Sequence, residues 1–168
     1  MGKYNKDLTV YIPVKNEQKH IGQCIESILE GTKNFDTEII VVDSMSNDKT
    51  IEIAKKYNVR ILQLNPSYRM SCAAGHYIAL NNCNGEFVFN LDGHSYLEKG
   101  FIEKGIAYLK KNKDVIGVAG QMSEPIVSGT INIDGDKLNS YNKPGAQEIL
   151  YGSVLYNYSL LVKAGFCD

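Results

Sequence analysis

The stretch that decides the fold is Gly85-Glu86-Phe87-Val88-Phe89-Asn90-Leu91-Asp92-Gly93-His94. Phe87 to Leu91 has the β-branched and aromatic content of a buried strand. The run then ends abruptly in a carboxylate, a glycine and an imidazole. Alternation along a strand sends Asp92 and His94 to the same side if the extended geometry persists through Gly93. Gly93 leaves no side chain between them, so a bulky group could approach the backbone there. Oxygen and nitrogen ligands at the end of a parallel strand sit where α/β sheets place ligands, and a divalent cation is the candidate. The competing reading is a strand-terminal turn, for which Asp-Gly is a common pair.

Upstream of this stretch the chain alternates strand and helix signals. Leu8 to Val14 reads as a first strand, expected to end near Pro13 because proline cannot donate to a ladder. Ile21, Cys24, Ile25, Ile28 and Leu29 recur at helical spacing up to Gly31. Glu38 to Asp43 is an unbroken apolar run closed by an aspartate, which suits a parallel sheet covered on both faces. Asn47 or Asp48 can cap a helix from about Lys49, with Ile51, Ala54 and Tyr57 facing inward. Val59 to Leu64 is a third strand, and Ser71 caps a helix expected to run to about Asn82. Asn84-Gly85 then turns the chain into the Phe87 strand.

Downstream, Phe101, Ile102, Gly105, Ile106 and Leu109 mark a helix whose wet side carries Lys104, Lys110 and Lys111. Val115 to Gly120 is the next strand. Glu124 to Gln147 is rich in Gly, Asn, Asp, Ser and Pro and reads as a long mobile loop, a lid that closes over substrate. Tyr151 to Phe166 is apolar again, with a helix expected over Ser159 to Ala164. The alternation argues for an α/β fold with an open, mostly parallel sheet and flanking helices. No repeat or linker divides residues 1–168, so a single domain is expected.

Composition narrows the function. A hydrophobic share of 43% and a charged share of 22% are those of an ordinary globular protein with a real core. The net charge of −1 gives no electrostatic case for a nucleic-acid partner. Cys24, Cys72, Cys83 and Cys167 form no ligand pair and are expected to be reduced thiols. The polar Met1 to Asp7 segment lacks a signal-peptide core, and no apolar run approaches a membrane span. The chain is therefore expected to be soluble, with membrane attachment of a longer parent protein left open.

Asn16 and Glu17 follow the first strand, Asp43 ends the second, and Asp92 with His94 follows the later one. In a parallel sheet these ends share one edge, so their groups can converge on one crevice. Each alone could be a loop residue or helix cap. Neither GxGxxG nor GxxxxGK[ST] occurs, and GxSxG is absent too, which removes the usual signatures of dinucleotide, P-loop and serine-nucleophile chemistry. Phosphate binding without a glycine-rich cradle calls for a metal, and Asp92/His94 offers one. His20 and His76 have no second ligand at fixed spacing and are read as surface or packing residues. Tyr151, Tyr156 and Tyr158 are read as core or rim residues.

Val10-Tyr11-Ile12-Pro13-Val14-Lys15-Asn16-Glu17, Cys24 to Leu29, and Glu38 through Asp43 to Thr50 together resemble the opening of family 2 glycosyltransferases with the GT-A fold. Leu91-Asp92-Gly93-His94 stands in the place of that family's Asp-x-Asp metal motif. Gly152-Ser153 and Ala164-Gly165-Phe166-Cys167-Asp168 resemble its later glycine-rich strand and Gly-x-Phe-Asp segment. The Asp-x-His variant is similar to bacterial exopolysaccharide glycosyltransferases of the succinoglycan type.

The resemblance implies transfer of a sugar, with inversion, from a nucleotide-diphospho-sugar, a UDP-sugar first, to a saccharide or lipid-linked acceptor in cell-surface or exopolysaccharide synthesis. It implies that Pro13, Asn16 and Glu17 line the nucleotide pocket and that Asp43 contacts uracil or ribose. Asp92 and His94 would hold Mn²⁺ or Mg²⁺ against the diphosphate, the imidazole tilting the choice toward Mn²⁺. Arg69 either touches the diphosphate or is a solvated arginine; the family's usual Arg-Asn is Ala73-Ala74 here. The family's general base lies beyond the Gly-x-Phe-Asp segment, so the chain reads as truncated at its C-terminal end, with Asp168 nearest in register to a catalytic carboxylate. Glu124, Asp134, Asp136 and Glu148 match no position of the base motif. The location implied is cytoplasmic, at the inner face of the cell membrane for a longer parent; a homodimer is left open. Two other readings compete: a non-catalytic nucleotide-binding remnant, and a sugar-nucleotide nucleotidyltransferase, whose Gly-rich, Arg-containing loop Val14 to Glu17 does not resemble.

Overall fold

A computed structural model describes residues 4–67, 71–119 and 153–165. In chain order the elements are β1 (Lys6–Val14), α1 (Ile21–Gly31), β2 (Thr37–Asp43), α2 (Thr50–Ala54), β3 (Arg60–Gln63) and α3 (Cys72–Leu80). They continue with β4 (Gly85–Asn90), α4 (Phe101–Lys111), β5 (Gly117–Ala119), β6 (Val154–Asn157) and α5 (Tyr158–Lys163). The six strands form one sheet in the order β3-β2-β1-β4-β6-β5. β3, β2, β1 and β4 are mutually parallel. β6 alone runs against its neighbours, β4 and β5. The sheet is thus mostly parallel, as the alternation of signals predicts. Among the described residues no helix is long and apolar enough to cross a membrane. The segment Glu124 to Gln147, predicted as a mobile lid, lies outside the described residues.

Helices cover both faces, which is why the strands read as continuous apolar runs. Ile39 and Val41 join Val10, Ile12, Ile25, Ile28, Ile102 and Leu109 in one core under α1, α2 and α4. Ile40 and Val42 point the other way and pack with Tyr11, Val88, Ala79, Leu80 and Leu161 under α3 and α5. Ser71 caps α3 as predicted, its hydroxyl accepting from the Ala74 N–H at 3.1 Å. Cys24 and Cys83 are free thiols.

β1 ends at Val14, near Pro13 as read, and the ladder accommodates the proline: Pro13 and Val14 stay in register with Val42 and Asp43. The parity of the ladder explains this. The Val14 carbonyl accepts from Ser44 on the β2 side, and the Tyr11 carbonyl accepts from Leu91 on the β4 side. Pro13 shares the parity of Tyr11, so its missing N–H faces the β4 side, where β4 has already ended at Asn90.

At the opposite edge one hydroxyl ties three strands. Thr9, with no exposed surface, accepts through Oγ1 from the N–H groups of Asn84 at 3.2 Å and Gly85 at 2.9 Å. The same hydroxyl donates to Glu38 Oε1 at 3.2 Å. Glu38 also receives the Asn84 amide at 3.0 and 3.1 Å and Arg60 at 3.2 Å. Gly85 must be glycine here, since a Cβ would stand 2.4 Å from the Thr9 nitrogen. Thr9→Val strands these buried donors and should lower stability by about 1–3 kcal/mol, read as a fall in urea midpoint with unchanged slope.

Candidate functional site

Parallel pairing of β2, β1 and β4 puts their carboxyl ends on one edge, with Val14 opposite Asp43 and Tyr11 opposite Asn90. The predicted site residues Pro13, Asn16, Glu17, Asp43, Asp92 and His94 all lie on this edge. Arg69 and Asp168 lie outside the described residues, as do Glu124, Asp134, Asp136 and Glu148. Pro13 sits beneath α3, where a Cβ on Gly75 would meet it at 3.7 Å.

The loops after β1 and β2 are stitched together. Asn16 adopts the left-handed region at φ 58°, a conformation asparagine tolerates better than most residues. From there its N–H donates to Ser46 Oγ at 2.8 Å, and its Oδ1 accepts the Asn47 N–H at 2.9 Å. The Glu17 N–H donates to Thr50 Oγ1 at 2.7 Å, and the Gln18 N–H to Asp48 Oδ2 at 3.1 Å. The Lys49 N–H returns to Gln18 Oε1 at 3.2 Å. Asp48 accepts the Thr50 N–H at 2.9 Å, but the N-cap of α2 is Lys49, which makes no side-chain cap, so neither Asn47 nor Asp48 takes the predicted capping position. Asp43 closes this loop from below. It has no exposed surface; Oδ1 accepts from Ser46 N–H and Oδ2 from the Gln63 amide, each at 3.0 Å. Gln63, the residue opposite Asp43 in the β3 register, was not singled out by the sequence.

The turn after β4 differs from the extended path on which the same-side argument for Asp92 and His94 rested. β4 ends at Asn90, and the Ser95 N–H donates to the Asp92 carbonyl at 2.8 Å across Gly93-His94. The Asp-Gly pair makes the strand-terminal turn. The room over Gly93 is also taken: a Cβ there would stand 2.6 Å from Val14 Cγ1 and 3.3 Å from Glu17 Cγ. Glycine serves close packing of the two loops.

The turn nevertheless brings polar groups together. His94 Nδ1 stands 3.4 Å from Glu17 Oε1, with the imidazole 61% and the carboxylate 23% exposed. The two groups form a close pair at the carboxyl edge, the carboxylate beside the imidazole. Beneath them the Cys24 thiol lies 3.6 Å from the Asp92 carbonyl. Burial first, then the negative charges of Asp92 and Glu17, push that thiol up to about 12, so it is inert and both carboxylates lie near it. Among the described residues no three His, Cys, Asp or Glu side chains form a metal-binding group. Asp92 and His94 flank Gly93 in this turn and place a carboxylate and an imidazole at the carboxyl edge.

His76 fulfils its packing role, edge-on to Tyr11 with Nδ1 2.9 Å from the phenol oxygen. Its proximity to the site was not visible in the sequence. Burial lowers its pKa below the usual 6.5, and the charge of Asp92 partly restores it. A lowered value means that neutral His76 is favoured in the fold, so its contribution to stability is lost as pH falls through 6.5. The imidazole resonance of His76 should titrate below 6.5, and Asp92→Asn should move its midpoint further down. An unmoved midpoint would separate the two residues.

The family model described as Glycosyl transferase family 2 matches residues 9–154. The chain is 28% identical over 131 residues to the dolichyl N-acetyl-alpha-D-glucosaminyl phosphate 3-beta-D-2,3-diacetamido-2,3-dideoxy-beta-D-glucuronosyltransferase of Methanococcus voltae, covering 74% of this chain and 39% of that protein. It is also 28% identical over 111 residues to the poly(ribitol-phosphate) beta-N-acetylglucosaminyltransferase TarS of Staphylococcus aureus, covering 62% and 19% respectively. The chain thus spans well under half the length of these relatives. Its fold superposes on a crystal structure of S. aureus TarS 1-349 with a TM-score of 0.74 at 23% identity, covering 95% of this chain and 49% of that one. The mannosyltransferase PcManGT from Pyrobaculum calidifontis, in complex with GDP-Man and Mn²⁺, gives 0.71 at 21% identity, covering 96% and 47%. With a match that runs from within β1 to the first residue of β6, the chain belongs to glycosyl transferase family 2 and has the GT-A fold.

Proposed function

We propose that this chain binds a nucleotide-diphospho-sugar, with a UDP-sugar as first choice, and transfers its sugar with inversion to a saccharide or lipid-linked acceptor in cell-surface polysaccharide synthesis. The observation that carries the reading is the gathering of Asn16, Glu17, Asp43, Asp92 and His94 on the carboxyl edge of three adjacent parallel strands. Two structural neighbours support it: S. aureus TarS has been crystallised with UDP-GlcNAc, and PcManGT with GDP-Man and Mn²⁺.

In this reading Pro13, Asn16 and Glu17 line the nucleotide pocket. Asp43 recognises the nucleoside, sharing its carboxylate with Gln63, since each oxygen can accept more than one hydrogen bond. Asp92 and His94 hold Mn²⁺ or Mg²⁺, with Glu17 orienting the imidazole. When bound, the cation neutralises charge on the departing diphosphate. Arg69 adds a second positive group there, and Asp168, nearest in register to the family's base motif, is the one carboxylate of the chain offered to the acceptor hydroxyl.

Calorimetry with UDP, with and without Mn²⁺, tests the reading. Asp92→Ala should abolish the Mn²⁺-dependent part of the affinity, and Glu17→Ala should weaken Mn²⁺ binding by about 10–100-fold through the lost support of His94. Wild-type titrations identical with and without metal would remove the metal assignment. In a UDP-sugar turnover assay, Asp168→Asn should slow transfer by about 10²–10⁴-fold and leave UDP affinity unchanged.

A further inference from the structure

Shortly after His94 the chain places Tyr96, a residue 51% exposed. A surface tyrosine ordinarily gives its hydroxyl to water and rests its ring on the protein. Tyr96 does the reverse. Its hydroxyl donates to Gln23 Oε1 at 3.0 Å and lies 3.4 Å from His20 Nδ1. The single phenolic proton goes to Gln23, so His20 is the donor in the second contact.

The backbone around it is equally constrained. The Ser95 N–H is bound to the Asp92 carbonyl at 2.8 Å, and the Leu97 N–H to Ser27 Oγ at 2.9 Å. Leu97 is buried against Gly31, where a Cβ would come within 2.8 Å of its Cδ2. The ring is therefore a fixed apolar plate with little entropy left to lose on binding. Among the described residues no other ring or cation covers it.

Its place along the edge narrows the ligand. The strand order β2-β1-β4 sets the loops in the same order. The 15–20 loop is bonded to residues 46–50 through Asn16 and Gln18, and reaches His94 and Tyr96 through Glu17 and His20. Tyr96 thus lies across that loop from Asp43, away from the nucleoside pocket. A pyranose suits such a plate: its C–H face packs on the ring by dispersion while its hydroxyls stay in water.

We propose that Tyr96 is a stacking platform for a pyranose of the acceptor saccharide, a role that rests on the sugar-transfer reading above. The chain has no tryptophan, so Tyr96→Trp supplies a sole emission reporter at the site. That variant of the full chain is titrated with the methyl glycosides of glucose, galactose, mannose and N-acetylglucosamine, with UDP and Mn²⁺ present. A saturable emission change with at least one glycoside is expected. Saturation-transfer NMR should then show the same glycoside bound to the native chain about three- to tenfold more tightly than to Tyr96→Ala. Tyr96→Phe should keep most of the binding, and Tyr108→Ala, an equally exposed tyrosine on α4, should keep all of it.

No saturable response to any of the glycosides overturns the proposal, as does equal sugar affinity in Tyr96→Ala. Weakened UDP binding in Tyr96→Ala also overturns it, because the ring would then serve the nucleotide. UDP titration of the native chain reads the donor proposal separately: sugar binding without UDP binding sinks that reading alone, and UDP binding without sugar binding sinks the platform alone.

Discussion

The carboxyl edge depends on β1 being paired in parallel on both sides at once. Its neighbours β2 and β4 bring Asp43 and the Asp92 turn level with the loop carrying Asn16 and Glu17. Parallel pairing in turn requires that each crossover return a helix to the sheet and bury both faces. The apolar runs of β1, β2 and β4 meet that requirement, splitting alternately between the two cores. Hydrogen bonds from the Asn84 and Gly85 N–H groups to Thr9 Oγ1 at the far end fix the register of β4 against β1, and a slip of one residue would exchange the faces of every side chain in the strand.

On that frame the loops bind mostly to one another. The N–H groups of Asn16, Glu17 and Gln18, which a helix or sheet would otherwise satisfy, go to Ser46, Thr50 and Asp48. The arrangement leaves little freedom in the pocket wall, which suits a site whose ligand must be held in one geometry for displacement. It also assigns the short polar run Ser46 to Thr50 a structural part: these residues are acceptors and caps for the loop across from them.

The elements were legible because their signals are local. Helical spacing located α1 and α4, Ser71 marked the start of α3, and the Asp43 terminus closed β2 as read. β6 was harder: its four residues are too short to show a period, and their antiparallel direction is decided by pairing with β4, far away in the chain. The site was legible in its residues and less so in its geometry. Asp92-Gly93-His94 could be read as ligands or as a turn, and the backbone shows the turn. What occupies the space over Gly93 comes from Val14 and Glu17, which no spacing rule near Gly93 could reveal. Gln63 and Tyr96 escaped notice, and His76 was read only as a surface or packing residue, for the same reason: each reaches the edge by a tertiary contact, through β3, α1 and α3 respectively.

The charges of the site constrain how a ligand can enter it. Asp92 and Glu17 both raise the Cys24 pKa, so both carboxylates project their field into the same small region. A nucleoside diphosphate brought there alone would add negative charge to negative charge, an interaction that low local dielectric strengthens. A compensating cation would relieve that repulsion, and Asp92 with His94 are its proposed ligands. Glu17 stands beside the proposed ligands, its Oε1 3.4 Å from His94 Nδ1. In the proposed ligand set, histidine in place of the family's second carboxylate lowers the charge by one, so the cation would be held by one carboxylate, one imidazole and the oxygens of the diphosphate itself.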